Sequence, residues 1–298
     1  MAGGKAGEMT IDADKLAEGI RRVAPFSGKE PQDWLYLEAT TAAKVELTTT
    51  DGYRLAHIEL PLDIGVAGHW LLQTRPAYDF ATTHHQGAQV EVVPFSGGLK
   101  VGSYEFPLGL GQPPDYRKLK PVGYATTAIV ETRKWIKPLR ANHYIGGKDT
   151  RVGLVVSQAG CKMLFYNDKE TLASVEAPVQ LVSGAPAKVI FNPEQLRRAL
   201  TSCGKAATVS LGLETWPALF EAEGYWHVLA PLAGEFPSDM VLTQAEREAL
   251  DLAIETIQEV RRGTVFARVE VGGGRFVIEL DPKREKTEIV VSGGVHVQ

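Results

Sequence analysis

Histidines and cysteines are the first side chains to consider for catalysis or metal binding. His84 and His85 are adjacent and would point apart on a helix, and the other five histidines are scattered without an HExxH or similar metal spacing. Cys161 and Cys203 are too few for a disulfide framework and lack the paired spacing of a zinc site. We therefore expect surface histidines, reduced cysteines and no bound metal.

Glycine clusters can cradle phosphates, but those of this sequence do not predict a nucleotide site. Gly97-Gly98 and the run 272–274 lack the Lys-Ser/Thr of a P-loop, so we expect both to be hairpin turns. No single motif combines a nucleophile, a base and an orienting group. The sequence therefore predicts a protein that is not an enzyme and that uses no cofactor.

The composition is that of a globular protein, with 44% hydrophobic and 23% charged residues among 298. This length favours two domains. A formal net charge of -4 argues against coating nucleic acid by bulk charge, so any surface that meets a nucleic acid would need a local concentration of positive charge. The N-terminus lacks the apolar core of a signal peptide, and no apolar run approaches the roughly 18 residues of a membrane span. We expect a cytoplasmic protein with no membrane partner.

An internal repeat organises most of the chain. Four similar segments begin about sixty residues apart, at Met9, His69, Ala128 and Lys188. Each opens with a short alternating strand, and a capping residue then precedes a helical stretch. The predicted capping residues are Asp12, Thr74, Thr132 and Asn192. About three strands follow each helix.

One such unit has a single helix over a small sheet and would leave an apolar flank exposed, so two units should pack as a pseudo-dimer. The four units therefore predict an α+β fold of two domains, each made of two strand-helix-strands units. Pro and Gly interrupt the strand pattern near Pro121 to Thr127, where we expect the boundary.

The C-terminal stretch follows a different pattern. Thr243 and Glu246 form a capping box, after which apolar residues recur at helical spacing until Gly263. Three strand candidates follow, TVFARVEV, GRFVIELD and TEIVVSG. We expect an appended helix and small sheet over residues 239–298, of unknown role.

Three motifs follow one another along the chain. Thr50–Ala56 reads TDGYRLA, Pro114–Leu119 reads PDYRKL and His227–Leu232 reads HVLAPL. In the same order they resemble the TDGHRLA signature, the PDYRRV-like loop and the YVVMPM-like strand of the bacterial DNA polymerase III beta sliding clamps, and FNPEQLRRAL provides a fourth resemblance. The resemblance implies the DNA clamp (processivity) fold.

The motif order implies a domain assignment. Residues 1–122 resemble the family's middle domain and residues 123–238 its last domain, whereas the first domain has no counterpart. Residues 239–298 have no counterpart in the family. The resemblance covers roughly three quarters of the chain.

In the family these segments form a groove that receives a short, partly hydrophobic peptide from polymerases and the clamp loader. Leu, Val and Pro would form its walls, and Arg54 and Lys118 could hold a carboxylate or carbonyl at its rim. Tyr53 stands where the family usually has His, and Ala230 stands where it commonly has a bulky Met. The peptide sequence that the groove prefers can therefore differ from the family's. Alternatively, TDG is a common turn signal, and Leu55, Val228 and Leu232 could be core. The implied groove consists of Thr50, Gly52, Tyr53, Arg54, Leu55, Pro114, Lys118, Leu119, Val228, Ala230 and Leu232.

The helices of a clamp line its central hole, which implies basic helical faces here. On the first helix Leu16, Ile20 and Val23 form the buried stripe, and on the third we expect Ile136 and Leu139 on the apolar side. The second helix, with only Arg75 clearly basic, is the weakest match, and a basic helical face can also be plain solvated surface. The predicted DNA-facing residues are Lys15, Arg22, Arg133, Lys137, Arg140, Arg197 and Arg198.

Three functions are compatible with these features. The first is a sliding clamp that encircles double-stranded DNA without reading its sequence and tethers a polymerase and other partners. Since clamps that close a ring have twelve helices, four helices per chain predict a head-to-tail homotrimer. The second is a clamp-fold adaptor that binds partners without encircling DNA. The third, an enzymatic activity in residues 240–298, has the least support.

Overall fold

A computed structural model of the chain describes residues 10–29, 33–40, 43–84, 86–109, 115–121, 123–145, 149–157, 160–167, 171–212 and 216–236, with no side chains at 142–145 and 181–182. Beyond residue 236 it describes the backbone of three strands. Among the helices so described, none is long and apolar enough to cross a membrane.

Within the described ranges, four α-helices and twenty strands follow one another along the chain. Up to the second helix they are β1 (Thr10–Asp12), α1 (Ala13–Val23), β2 (Trp34–Thr40), β3 (Lys44–Thr50), β4 (Arg54–Leu60), β5 (Gly68–Gln73) and α2 (Thr74–Thr83). Then come β6 (Gln89–Phe95), β7 (Gly98–Val101), β8 (Tyr104–Pro107), β9 (Thr126–Glu131), α3 (Thr132–Ile145), β10 (Arg151–Ser157), β11 (Gly160–Tyr166), β12 (Thr171–Ala177) and β13 (Gln180–Gly184). The last are β14 (Ala187–Phe191), α4 (Pro193–Ser202), β15 (Ala206–Leu211), β16 (Ala218–Ala222), β17 (Tyr225–Leu229), β18 (Phe266–Gly272), β19 (Arg275–Asp281) and β20 (Thr287–Ser292).

The chain divides into two compact units. The first comprises Met1–Pro121 with Ser202–Gly204 and Leu219–Leu229, and the second comprises Val122–Thr201, Lys205–Ala218 and Ala230–Gln298. The first break falls where Pro and Gly interrupt the strand pattern. The β17 strand lies in the first unit, although the sequence analysis assigned it to residues 123–238. The physical reason is that β17 pairs along its whole length with β4.

Each unit is built from two repeats that exchange a strand. In the first unit β1 pairs with β6, and β5 pairs with β2. In the second, β9 pairs with β15, and β14 pairs with β10. The strand that opens one repeat is therefore hydrogen-bonded to the first strand after the helix of the other repeat. This exchange confirms the expected pseudo-dimer and explains why one repeat could not fold alone.

The helices begin where the sequence predicted, although they are not all capped in the same way. Asp12 accepts a hydrogen bond from Asp14 N (3.0 Å), and Asn192 accepts from the backbone N–H groups of Glu194 and Gln195. Both therefore cap orphan donors of a first helical turn. Thr74 instead is the first residue of α2, and no side-chain hydrogen bond caps that helix.

The first unit buries the predicted stripe of α1. Leu16, Ile20 and Val23 are fully buried, and each such burial stabilises the fold by about 1.5–3 kcal/mol. Gly19 lets the helix approach the sheet closely, since a Cβ there would lie 2.6 Å from Leu60 Cδ1. The helix therefore packs directly on the β3–β4 face of the sheet.

In the second unit the apolar side of α3 differs from the prediction by one position. Trp135 and Leu139 are buried, whereas Ile136 is half-buried. Trp135 Nε1 donates a hydrogen bond to Pro178 O (3.1 Å), so its one polar group is satisfied in the core. Ile136 therefore lies at the edge of the apolar side, and the fully buried i, i+4 pair begins one residue earlier, at Trp135.

The strands follow the predicted order, with one strand before each helix and about three after it. The additional strand is β13, which follows β12 in the third repeat. In the C-terminal stretch the three strands form an antiparallel sheet in the order β18-β19-β20, as expected, and the helix predicted from Thr243 to Gly263 lies outside the described residues.

Candidate functional site

The turn between β3 and β4 is organised by one carboxylate. Asp51 Oδ1 accepts hydrogen bonds from the backbone N–H groups of Tyr53 (3.0 Å) and Arg54 (2.8 Å), and Oδ2 accepts from Arg54 Nε (2.8 Å). Gly52 has φ 88°, a left-handed conformation that other residues rarely adopt. The turn leaves the Tyr53 side chain 73% exposed.

The side chains of β4 alternate between the two faces of its sheet. Leu55 lies opposite Thr50 on β3 and Val228 on β17, so these three residues share one row. Leu55 and Val228 are buried, at 3% and 8% exposed. Arg54 points to the opposite face, where its guanidinium carbon lies 5.5 Å from the centre of the Phe26 ring.

A short 3-10 turn, Tyr116–Leu119, crosses the face that carries Leu55, and we call this turn the strap. Near its start the Tyr116 ring stacks on His57 with ring centres 5.2 Å apart. Just beyond its end Lys120 Nζ lies 5.5 Å from the centre of the Trp226 ring. Both ends of the strap therefore contact one row of side chains, formed by His57 on β4 and Trp226 on β17.

That row adjoins the Leu55–Val228 row. His57 is paired with Trp226, two residues along each strand from the Leu55–Val228 pair. Two residues of an antiparallel strand span about 7 Å. The strap and the predicted groove floor therefore lie on one face, about one row of side chains apart.

Carboxylates beneath the strap hold it in place. Tyr116 Oη donates to Glu46 Oε2 (2.7 Å), and Arg117 Nη2 lies 2.8 Å from the same oxygen and 2.9 Å from Glu38 Oε2. Lys44 Nζ lies 2.7 Å from Glu46 Oε1. Both oxygens of the buried Glu46 are thus paired with donors.

These contacts set the protonation states under the strap. Burial alone raises the pKa of Glu46, but hydrogen bonds from Lys44 and Tyr116 and the charge of Arg117 outweigh it, so its pKa is lowered. Burial, reinforced by the hydrogen bond to Glu46, raises the pKa of Tyr116. Burial also lowers the pKa of His57. The strap is therefore held by a hydrogen bond from the neutral Tyr116 hydroxyl to the ionised Glu46 carboxylate.

The structure brings part of the predicted groove together. Leu55, Val228 and Thr50 share a row in the first unit, with the strap one row away. Lys118 and Leu119 are the exposed strap residues, with the Lys118 side chain 83% exposed and Leu119 51% exposed. The open surface is formed by strap and turn, whereas Leu55 and Val228 are a buried floor.

Other predicted groove residues have different surroundings. Arg54 forms an ion pair with Asp51, so its fork is not free at a rim. Pro114 lies outside the described residues. Ala230 and Leu232 belong to the second unit, where Leu232 packs against a cluster of Leu164, Tyr166 and Ile190.

The basic face of α3 is exposed as predicted from its spacing. Arg133, Lys137 and Arg140 are all exposed, and among the described residues no ion pair engages them. Lys15 on α1 is exposed as well. In the part of the chain that the structure describes, these four exposed side chains have no carboxylate partner and could meet phosphates.

The remaining predicted DNA-facing arginines have partners within the chain. Arg22 Nε donates to Ser202 O (2.8 Å), and its guanidinium carbon lies 4.6 Å from the centre of the Tyr225 ring. Arg197 and Arg198 both pair with Glu194, at 2.6 and 2.8 Å. The Arg197 hydrogen bond is the largest influence on the pKa of Glu194, which is lowered to about 2. Their positive charge is therefore partly neutralised.

The histidines were predicted to lie on the surface, and for three of them the structure shows the opposite. His57 and His227 are 2% and 0% exposed, and the His84 side chain is 7% exposed with Nε2 2.7 Å from Asp14 Oδ1. His57 and His227 each lie in a strand whose alternating pattern could have predicted their burial. That pattern was overlooked because histidine is often a surface residue. His69 is exposed, as expected.

Metal chemistry finds no support in the described part of the chain. No three His, Cys, Asp or Glu side chains lie close enough together there to hold a metal ion. Cys161 and Cys203 are buried free thiols, and burial raises the pKa of the Cys203 thiol to about 12. Neither is therefore a reactive thiolate.

Known proteins similar to this chain are sliding clamps. No family model matches the chain. The beta sliding clamp of Streptomyces coelicolor is 23% identical over 252 residues, which are 75% of this chain and 66% of that protein, so the chain spans just under two thirds of this relative.

Solved structures lead to the same fold. The DNA polymerase III subunit beta of Pseudomonas aeruginosa superposes with a TM-score of 0.68 at 19% identity, over 78% of this chain and 69% of that one. The DNA polymerase sliding clamp of Bacillus subtilis superposes with a TM-score of 0.69 at 16% identity, over 79% of this chain and 67% of that one.

The chain therefore has the DNA-clamp fold. Within that class it resembles the bacterial beta sliding clamps over about three quarters of its length, as the three sequence motifs predicted.

Proposed function

We propose that the protein is a DNA sliding clamp, a cytoplasmic ring that encircles duplex DNA and tethers a polymerase and other partners through the groove beside the strap. The observation that carries this proposal is the exposed basic row Arg133, Lys137 and Arg140 of α3 on a clamp fold, which no ion pair within the described residues engages. Mobile Lys and Arg contacts to phosphates carry no sequence information, which suits a ring that slides.

The ring is proposed to close from three copies. Four helices per chain make twelve in a trimer, the number that closed clamps use, and the contact between copies would be head-to-tail. Sedimentation or light scattering at micromolar concentration should show about three times the 32.4 kDa chain mass. A species of two chain masses would replace the trimer by a dimer of different geometry.

DNA contact is tested through α3. Replacing Arg133, Lys137 and Arg140 by Ala should weaken loading onto nicked circular DNA. The slope of log K against log salt should fall by about 3, since each lost phosphate contact contributes roughly 0.9.

A matched variant controls for net charge. Lys29, Lys100 and Lys162 are exposed lysines outside the helices, and replacing all three by Ala removes the same charge. This control should keep the wild-type salt slope. Equal slopes for the two triple variants would show that α3 does not face the duplex.

The groove is tested at the strap. Leu119→Asp places a charge on a half-exposed apolar residue and should abolish binding of a fluorescent clamp-binding peptide while the protein remains folded. Leu108→Asp is the control, since Leu108 is a similarly exposed leucine at 43%. Val228 is too buried for such a test, because a charge there would unfold the protein. Equal peptide affinity in the two variants would refute the groove.

One observation favours a second candidate, a clamp-fold adaptor that does not encircle DNA. The basic residue of α2, Arg75, pairs with Asp79 at 3.1 Å, and Arg22, Arg197 and Arg198 are also engaged. An adaptor needs only the partner groove. A monomer at every concentration that still binds the peptide would support this function over the ring.

A further inference from the structure

The strap joins a buried anchor to an exposed contact within four residues. Tyr116 is 3% exposed, whereas Leu119 is 51% exposed. Where Leu119 lies on the surface is therefore decided by the contacts that fix the strap.

The backbone of the strap provides little of this restraint. The hydrogen bond from Lys118 N to Asp115 O (3.1 Å) opens the turn, and no side-chain hydrogen bond caps it. A single 3-10 turn is a weak element by itself. Side chains beneath the strap therefore decide where it lies.

Tyr116 makes the most confining of these contacts. Its ring lies between Tyr36 and His57, with ring centres 5.7 Å and 5.2 Å away. Its hydroxyl reaches Glu46 Oε2 at 2.7 Å, a charge-assisted hydrogen bond in a buried setting. Arg117 is 57% exposed and solvent screens its ion pairs, so it restrains the strap less.

We propose that Tyr116, through its hydrogen bond to Glu46, is a positioning residue that fixes the strap so that Leu119 is presented to the partner peptide. This inference rests on the proposed function of the groove. Tyr116 itself does not touch the peptide. Its contribution is to remove conformational freedom from the strap before binding, so that the peptide does not have to order it.

The decisive variant is Tyr116→Phe, which keeps the ring between its neighbours and removes only the hydroxyl. Glu46 remains buried with Lys44 and Arg117, so the fold should persist. We expect the peptide to bind about tenfold more weakly. The variant loses a hydrogen bond to a charged group, and the strap, held less firmly in the free protein, must then be ordered when the peptide binds. Tenfold corresponds to 1.4 kcal/mol.

Tyr36→Phe is the matched control. Tyr36 lies on the same face and its hydroxyl donates to Glu38 Oε2 (3.4 Å), but it is not part of the strap. Its loss should leave peptide affinity within twofold of the wild type. A merely structural role for Tyr116 would predict similar affinity changes in the two variants.

Two further measurements test the inference, and the second of them does not depend on peptide binding. In a Leu119→Ala background, Tyr116→Phe should have no additional effect on affinity, because its effect is transmitted through Leu119. Hydrogen exchange of the peptide segment 115–121 in the free protein should accelerate in Tyr116→Phe and not in Tyr36→Phe.

The outcomes separate the two proposals. If the wild-type protein does not bind the peptide, the groove falls, while hydrogen exchange still tests whether Tyr116 fixes the strap. If the wild type binds but Tyr116→Phe binds equally well, or if exchange over 115–121 is unchanged, the positioning role is overturned.

Discussion

His227 should make the stability of this protein depend on pH in the mildly acidic range. Its side chain is 0% exposed, its ring centre lies 4.2 Å from that of Phe26, and its Nε2 has no hydrogen-bond partner among the described residues. Burial, helped by the positive charge of Arg54, lowers the pKa of His227 to about 3.

The sign and size of the effect follow from the two pKa values. In the unfolded chain His227 takes up a proton near pH 6.5, whereas in the folded protein it stays neutral until about pH 3. Between these values the unfolded state binds more protons, so stability falls as the pH falls. Each pH unit costs about 1.4 kcal/mol, and the loss from pH 7 to pH 5 is therefore about 2 kcal/mol.

Urea denaturation followed by circular dichroism at pH 7 and pH 5 measures this loss. We expect His227→Gln to lower stability at pH 7, since the core packing changes, but to lose about 2 kcal/mol less than the wild type on going to pH 5. His69→Gln, at an exposed position, should behave as the wild type does. An equal pH-dependent loss in His227→Gln and the wild type would refute a neutral buried His227.

Two other predictions test backbone geometry and helix charge. Gly98→Ala should destabilise the protein by about 3 kcal/mol more than Gly87→Ala does. A Cβ at Gly98 would lie 2.0 Å from a backbone oxygen, whereas Gly87, at φ 72°, faces open space. Thermal melts of both variants measure the difference, and equal melting temperatures would contradict it. Glu194→Gln should release Arg197 and Arg198 from their ion pairs. If α4 faces the duplex, DNA binding at low salt should then become stronger. An unchanged affinity in a salt titration would place α4 away from DNA.

Much of the fold is encoded locally, and the sequence shows it. Asp12 and Asn192 have the side chains that cap a helix, and the Leu16, Ile20 and Val23 spacing marks one helical face. These signals involve residues within four positions of one another, so they survive without knowledge of the rest of the chain. The repeat is visible because these local signals recur about every sixty residues.

The candidate site was predictable only in part. The motifs led to the Leu55–Val228 row and to the strap, because both carry recognisable residues in order. The alternation pattern did not reveal that Leu55 is buried while Leu119 is exposed. Which side chains of a strand are covered depends on the segment that crosses it, and in this protein the strap covers the His57–Trp226 pair.

Only the tertiary structure decided which charged and polar side chains are free. Arg22 was predicted to face DNA from its helical position, yet its guanidinium bonds to Ser202, 180 residues away in sequence. His227 was predicted to be exposed, yet it is enclosed by Phe26, about 200 residues earlier in the chain. Helical spacing and residue type are local properties, whereas burial and ion pairing depend on partners that folding brings together from distant parts of the sequence.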